Sequence, residues 1–302
     1  MNQESEHPFK AGYVTIIGQP NVGKSTLVNN LLRFRLSIIT PKPQTTRHKI
    51  LGIHSGENFQ IIFWDTPGLV QPRYRLHEVM VKAARSAIED ADILLFMVVA
   101  SDTADAKDLE ILESIKQSGK PIILTINKVD LIDKRKILPL IDHYRRLHDF
   151  ADIIPISALT GDNVDVLEKV LIDLLPEGQP FYPPDYVTEH PERFFVSEII
   201  REKIFERYGE EIPYSTAVVI DEFKERKGGK DYIKARIIVE KQSQKGIIIG
   251  KDGAALKTIG RLAREEIEAF LGRPVYLELW VAVREKWRQK DTFLKEFGYT
   301  PT

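Results

Sequence analysis

Residues 18–26 read GQPNVGKST, directly after the apolar run YVTII (13–17) and opening a run with helical spacing, Lys24–Leu32. The stretch fits G-x-x-x-x-G-K-[ST] in the strand-to-helix context that gives this spacing its meaning. The glycines let the backbone wrap so that its N–H groups, together with the helix N-terminus, face an anion. Lys24 is placed to reach the β- and γ-phosphates of a nucleoside triphosphate, and Ser25 to ligate Mg2+. On this reading Gly18, Gln19, Pro20, Asn21, Val22, Gly23, Lys24, Ser25 and Thr26 line the phosphates.

Outward from the loop, short β-rich runs alternate with amphipathic helical ones. The strands are YVTII, IIFW, DILLFMVV, PIILTI and DIIPIS; the helices are Lys24–Leu32, Leu76–Glu89, Asp105–Gln117, Lys134–Leu147 and Asn163–Leu175. That alternation predicts an α/β domain, a mostly parallel sheet with helices on both faces. SGEN, inside HKILGIHSGENFQIIFW, predicts a hairpin and hence one antiparallel edge strand.

A phosphate loop alone names neither the base nor the reaction. FWDTPG ends a strand with Asp65, Thr66, Pro67 and Gly68, followed by Leu69. Asp65 would stand behind the metal, one ligand removed from it, and the Gly68 amide would meet the γ-phosphate. NKVD (Asn127, Lys128, Val129, Asp130) ends the next strand but one. Asp130 can accept from guanine N1–H and the 2-amino group, which adenine lacks, and a site so built rejects the wrong base by about 10⁴ or more. Ser157, Ala158 and Leu159 would add a backbone amide near the guanine oxygen. Four motifs in this order, each on the C-terminal end of a strand, resemble the translation-factor-like GTPases. The resemblance makes Thr46, in PQTTRH, the switch threonine that joins Ser25 on Mg2+ when the γ-phosphate is present. Many regulatory GTPases carry glutamine where this chain has Leu69, and leucine cannot orient water. In relatives with an apolar residue there, the asparagine matching Asn21 helps hold a potassium ion against the phosphates, so the resemblance implies K+ here. Lys24, Thr46, Gly68 and Asn21 are the candidate catalytic group.

Pro176–Pro191 holds five prolines and reads as a semi-rigid connector. The expected division is 1–178, a connector over 179–191, and 192–302. Past the connector the pattern is a helix (Glu192–Arg207), two strands turning at Gly228-Gly229, then IIIGKDG, a helix through Phe270 and a strand, Pro274–Val283. IIIGKDG lacks the Lys-[Ser/Thr] pair of the first loop. A G-x-x-G between helical segments, beside three strands in this order, resembles the type II KH domain, whose loop clamps a nucleic-acid backbone of about four nucleotides. Ile249, Gly250, Lys251, Asp252, Gly253 and Lys257 would touch RNA, with Ile247, Ile248, Leu256 and Ile259 as groove or core. Trp280 alternates with apolar neighbours and reads as core. The tail with Trp287, Phe293 and Phe297 reads as a helix packed on its own domain.

Charge agrees with this division. Residues 1–190 carry net −4 and residues 191–302 net +3, while Lys224–Arg264 holds 12 basic and four acidic side chains. Such a stretch is a footprint for polyanions. The 302 residues are 43% hydrophobic and include no cysteine, which excludes disulfides, thiol catalysis and Cys-based zinc sites. The polar start, MNQESEHPFK, is unlike a secretory signal, and the longest apolar run, Ile93–Ala100, falls far short of the roughly 20 residues needed to span a bilayer. A cytoplasmic location is expected, with any membrane contact peripheral.

GQPNVGKS, PQTTRH, DTPGL, NKVD, SAL and IIIGKDG together resemble the Era family of bacterial ribosome-assembly GTPases over residues 10–295. One departure is Ala100, where an aspartate is expected in relatives. The resemblance implies a monomer that binds the 3′ region of 16S rRNA, assists 30S subunit maturation and touches the inner membrane. The competing reading is a metabolic P-loop kinase with a structural C-terminal domain, against which NKVD and the lack of an acceptor site argue.

Overall fold

The computed structural model describes residues 8–69, 71–101 and 105–299. The polar start MNQESEH lies outside them. The chain gathers into two compact units. Among the described residues, one holds those up to Ser37 with Thr46–Gln71 and Met80–Glu189; the other holds Ile38–Thr45, Pro72–Val79 and those from His190 on.

In the first unit β1 (Lys10–Ile17) leads through the phosphate loop into α1 (Lys24–Leu32). A hairpin of β2 (Ile50–Ser55) and β3 (Phe59–Asp65) precedes α2 (Arg75–Asp90) and β4 (Ile93–Val99). Then come α3 (Ala106–Ile115), β5 (Ile122–Asn127), α4 (Ile137–Arg145), β6 (Asp152–Pro155) and α5 (Val164–Leu174). Strand order is β2-β3-β1-β4-β5-β6, with β2 the antiparallel edge and every other pair parallel. Residues along β5 are buried without alternation, as covering on both faces requires. On one face Phe96, Leu124 and Ile126 pack with Ile111 and Leu112 of α3 and with Leu140 and Tyr144 of α4. The parallel order sends the C-terminal ends of β1, β3 and β5 to the same edge. That edge carries the motifs.

The Pro-rich stretch is not a free tether. Gln60 Oε1 accepts from the N–H groups of Phe181 and Tyr182 at 2.8 and 2.9 Å, and Ile53 N–H donates to Val187 O at 2.7 Å. Residues up to Glu189 are thus laid along the β2–β3 hairpin.

The second unit is built on α6 (Glu192–Arg207), a short α7 (Glu211–Ser215), β7 (Ala217–Lys224), β8 (Asp231–Val239), α8 (Gln242–Ile249), α9 (Ala254–Leu271), β9 (Val275–Val283) and α10 (Asp291–Glu296). The sheet order is β7-β8-β9, antiparallel then parallel. Its core joins Val196, Ile200 and Ile204 of α6 to Ile233 and Ile237 of β8, Ile248 of α8 and Ile259 and Ile267 of α9. The tail packs as expected: Trp287 is fully buried, donates Nε1–H to Ser215 O at 2.8 Å and stacks on Tyr299.

Trp280 does not belong to that core. It is 39% exposed, lies beside Arg236 across β8–β9 and donates Nε1–H to Asp221 at 3.1 Å. Strand parity explains the correction, because Val281 takes the inward place and a neighbour in a strand points to the opposite face.

Candidate nucleotide and nucleic-acid sites

Gly23 stands at the N-terminus of α1 with φ 108°, and a Cβ there would sit 2.2 Å from Asn127 Nδ2. Only glycine meets both demands. No side chain caps α1, so its first N–H groups are left for an anion. Asn21, with φ 64°, takes the one conformation in the loop where asparagine is tolerated better than most residues. Lys24 is buried and donates Nζ–H to Gly18 O at 3.1 Å and Gln19 O at 2.8 Å. Burial pushes its pKa down to about 8, opposed by the charges of Asp65 and Asp108.

Ser25, Thr46 and Asp65 converge. Ser25 Oγ donates to Asp65 Oδ2 at 2.7 Å and lies 3.0 Å from Thr46 Oγ1. Asp65, the last residue of β3, is fully buried, and burial pushes its carboxyl up, opposed by the Ser37 and Ser25 hydroxyls and Lys24. Its Oδ1 has no hydrogen bond of good geometry, and neither has Ser37 Oγ. A buried carboxylate oxygen without a partner beside two hydroxyls fits a hard, oxygen-seeking divalent ion. Among the described residues no group of three His, Asp or Glu is placed to hold a metal ion. A divalent ion would therefore depend on phosphate oxygens for the rest of its shell, as Mg2+ does with nucleotides.

The β3 exit lies against the phosphate loop. A Cβ on Gly68 would come within 2.9 Å of Pro20 N, and Thr66 Oγ1 donates to Ile16 O at 2.9 Å. Pro67 is buried, and Leu69 packs on the β4–β5 core. Leucine here is a packing residue, as its side chain allows.

On the base side, buried Asn127 ties two loops together. Its Nδ2 donates to Val22 O at 2.7 Å, and its Oδ1 accepts from Ala158 N–H at 2.9 Å. The same Nδ2 also contacts Met97 Sδ at 3.9 Å, a weak acceptor. Lys128 adopts φ 65°, turning the chain so that Val129 N–H meets Ile156 O and Asp130 stands exposed. Ser157 N–H already serves Asp162 O, and Ala158 N–H serves Asn127. The Leu159 side chain is 79% exposed.

In the second unit α8 ends at Gly250 and α9 begins after Gly253. Gly250, Asp252 and Gly253 all have positive φ, between 52° and 76°, so the turn is tight. A Cβ at Gly253 would meet open space, which leaves its backbone accessible. Lys251 and Lys257 are exposed. The apolar residues divide: Ile248 and Ile259 are core, Ile249 and Leu256 are partly buried against it, and Ile247 is 51% exposed.

Three residues of α6 escaped the sequence reading. Lys42 donates to the carbonyls of Phe205 and Tyr208, and Arg201 donates to Thr45 O at 2.6 Å while pairing with Glu198. Glu202 accepts from Ile39 N–H at 3.2 Å. Glu198, Arg201 and Glu202 are buried. In sequence their 3–4 spacing reads as an ordinary solvated helix face, and nothing local says otherwise.

Comparison with known proteins gives a consistent result. Residues 13–128 match the family described as 50S ribosome-binding GTPase, and residues 211–288 match the KH domain. The chain is 50% identical to the GTPase Era of Geobacter metallireducens over 98% of this chain and 100% of that one. It is 51% identical to the GTPase Era of Syntrophus aciditrophicus, over 96% and 95%. Among solved structures, an Aquifex aeolicus Era variant bound to GDP and AlF4− superposes with a TM-score of 0.94 at 46% identity, covering 97% of this chain and all of that one. Era in complex with MgGDPNP and nucleotides 1506–1542 of 16S ribosomal RNA matches with the same score, identity and coverage.

Proposed function

Because the chain belongs to the Era family of GTPases, we propose that its guanine-nucleotide switch governs a KH-domain grip on the 3′ region of small-subunit ribosomal RNA, in the service of 30S subunit maturation. One observation carries the switch reading. Thr45 and Thr46 are neighbours, yet Thr46 Oγ1 meets Ser25 at 3.0 Å while Thr45 O is held by Arg201 of α6. Thr46 belongs to the first unit and Thr45 to the second. A change at the γ-phosphate that moves Thr46 also moves Thr45.

The phosphate-loop amides and Lys24 hold the β- and γ-phosphates, and the Gly68 amide approaches the γ-phosphate. Ser25 and Thr46 would hold Mg2+, with Asp65 behind them, and the ion would supply positive charge against the phosphate oxygens. The Era relative bound with MgGDPNP supports this assignment. Leu69 is committed to packing, so positioning for hydrolysis falls to Asn21, where a potassium ion would add positive charge at the transferring phosphoryl group. Equal turnover in KCl and NaCl would remove potassium from the account. Asp130 reads guanine, with Asn127 bracing the loops on either side of the base.

On the nucleic-acid side, Gly250–Gly253 clamps the sugar-phosphate chain, Lys251 and Lys257 pair with phosphates, and Ile249 borders the base groove. The Era complex with nucleotides 1506–1542 of 16S RNA supports this choice of strand. The protein works as a monomer in the cytoplasm with peripheral contact at the inner membrane. No helix among the described residues is long and apolar enough to cross a membrane.

Filter binding of a 3′-terminal 16S fragment, with GDP or a non-hydrolysable GTP analogue, tests the proposal. Tight, salt-sensitive binding that depends on the nucleotide is the expected outcome. Nucleotide-independent binding overturns the switch.

A further inference from the structure

Asp108 lies in the first turn of α3, 89 residues from the phosphate loop in sequence, yet its Oδ1 accepts from Gln19 Nε2 at 2.9 Å. It is only 5% exposed. Burial pushes its carboxyl up, against the Gln19 amide and the Lys24 charge, while Asp105 adds to the rise. The helix does not need this carboxylate, because Asp105 already caps α3 by accepting from Lys107 N–H at 2.7 Å. A buried anion beside a phosphate site is a cost unless it does something there.

Gln19 is the second residue of the loop, and its backbone carbonyl is a 2.8 Å acceptor for Lys24 Nζ. Its side chain is held by Asp108, and its carbonyl is held by the lysine. The Asp108 bond therefore sets the rotation of the Gln19 peptide and, through it, the place of Lys24 and the direction of the neighbouring amides.

We propose that Asp108 is a positioning residue for GTP turnover, acting through Gln19 to hold the phosphate loop and Lys24 in their working geometry. The proposal rests on the nucleotide-site reading above and deepens it. The positioning passes through the hydrogen bond to Gln19, for which an acceptor oxygen suffices; the Asp108 charge also acts on Lys24, and that smaller part is lost in an asparagine variant. Asparagine keeps an acceptor oxygen at the same reach, and alanine removes it.

The test is steady-state GTP hydrolysis by the full chain. Asp108→Ala should lower kcat/KM by about tenfold, the scale of one lost buried hydrogen bond to a charged group, with the loss split between kcat and KM. Asp108→Asn should restore it to within about threefold. Gln19→Leu should match Asp108→Ala, and the double variant should be no worse than either, because the two residues act as one unit. Thermal melts identify a variant that fails to fold, and Gln19→Leu then carries the test without touching α3. Wild-type kcat/KM in Asp108→Ala, an Asp108→Asn as impaired as the alanine, or additive losses in the double variant overturns the proposal. Lys24→Ala run alongside separates the two levels: nucleotide loss there with a normal Asp108→Ala sinks only the positioning role.

Discussion

Lys24 shows what a binding site does to a single side chain. Taken out of water, with the charges of Asp65 and Asp108 offsetting only part of the loss, the ammonium is destabilised and its pKa falls to about 8. Phosphate binding restores the charged form, so affinity must depend on pH with a definite sign. Below pH 8 the empty site already carries the charge. Above it a proton has to be taken up on binding, and nucleotide affinity should fall by up to tenfold per pH unit. Stability of the empty protein moves the other way: from about pH 8 towards 10 the unfolded chain holds the extra proton, so the fold gains stability as pH rises. Titrating GDP affinity and the melting temperature together checks both; a flat affinity between pH 7 and 9.5 refutes the assignment. At Asp130 the argument is one of hydrogen-bond sense. Asp130→Asn presents donors where guanine also donates, so preference should swing from guanine to xanthine nucleotides, by about 100-fold or more in the affinity ratio. Both residues were legible because their motifs have fixed spacing. Asn127 was legible only in part: its place in NKVD is plain, but its bonds to Val22 and Ala158 join residues 105 and 31 positions away, and no local pattern records such a tie.

Elements were read more fully than their faces. The helix Glu192–Arg207 and the helix opening at Lys24 were legible to the residue, because periodicity, Pro191 and the glycine loop bound them. Trp280 was misplaced because apolar neighbours on both sides hide strand parity, and only the partner register shows which face is covered. On the proposed reading the backbone of the α8–α9 turn is itself the binding element, which makes a side chain there a sharp probe. Gly253 has φ 76° with open space beyond, so Gly253→Asp fits sterically at a cost of about 1 kcal/mol in backbone strain. The carboxylate then occupies the place of a phosphate. RNA affinity should drop by tenfold or more, GTP hydrolysis without RNA should persist, and Gly253→Ala should be intermediate. Filter binding beside phosphate release measures both; full RNA affinity in Gly253→Asp would mean that this turn is not the clamp.

For the molecule as a whole, the division into units falls between Thr45 and Thr46, inside the segment proposed as the switch. Residues 38–45 fold with the RNA-binding half, held by Lys42, Arg201 and Glu202, while Thr46 stays with the nucleotide half. Composition and motif order gave two domains but not this exchange, because it depends on charged residues being buried, which their types argue against. Two activities in one chain become one device only if a segment answers to both, and on the proposed reading that segment is Ile38–Thr45. Arg201 is its critical bond. Arg201→Met alone strands Glu198 in the interior, and breaking a buried pair in that way costs about 3–5 kcal/mol. Arg201→Met with Glu198→Gln removes both charges and should recover most of that stability. It should not recover the donor to Thr45 O. The double variant should hydrolyse GTP and bind RNA, yet its RNA affinity should differ little between GDP and the GTP analogue, where the natural chain shows a clear ratio. Chemical denaturation establishes the restored stability, and RNA titrations in both nucleotides give the ratio. If a stable double variant keeps the natural ratio, nucleotide state reaches the RNA-binding half by a route other than Thr45.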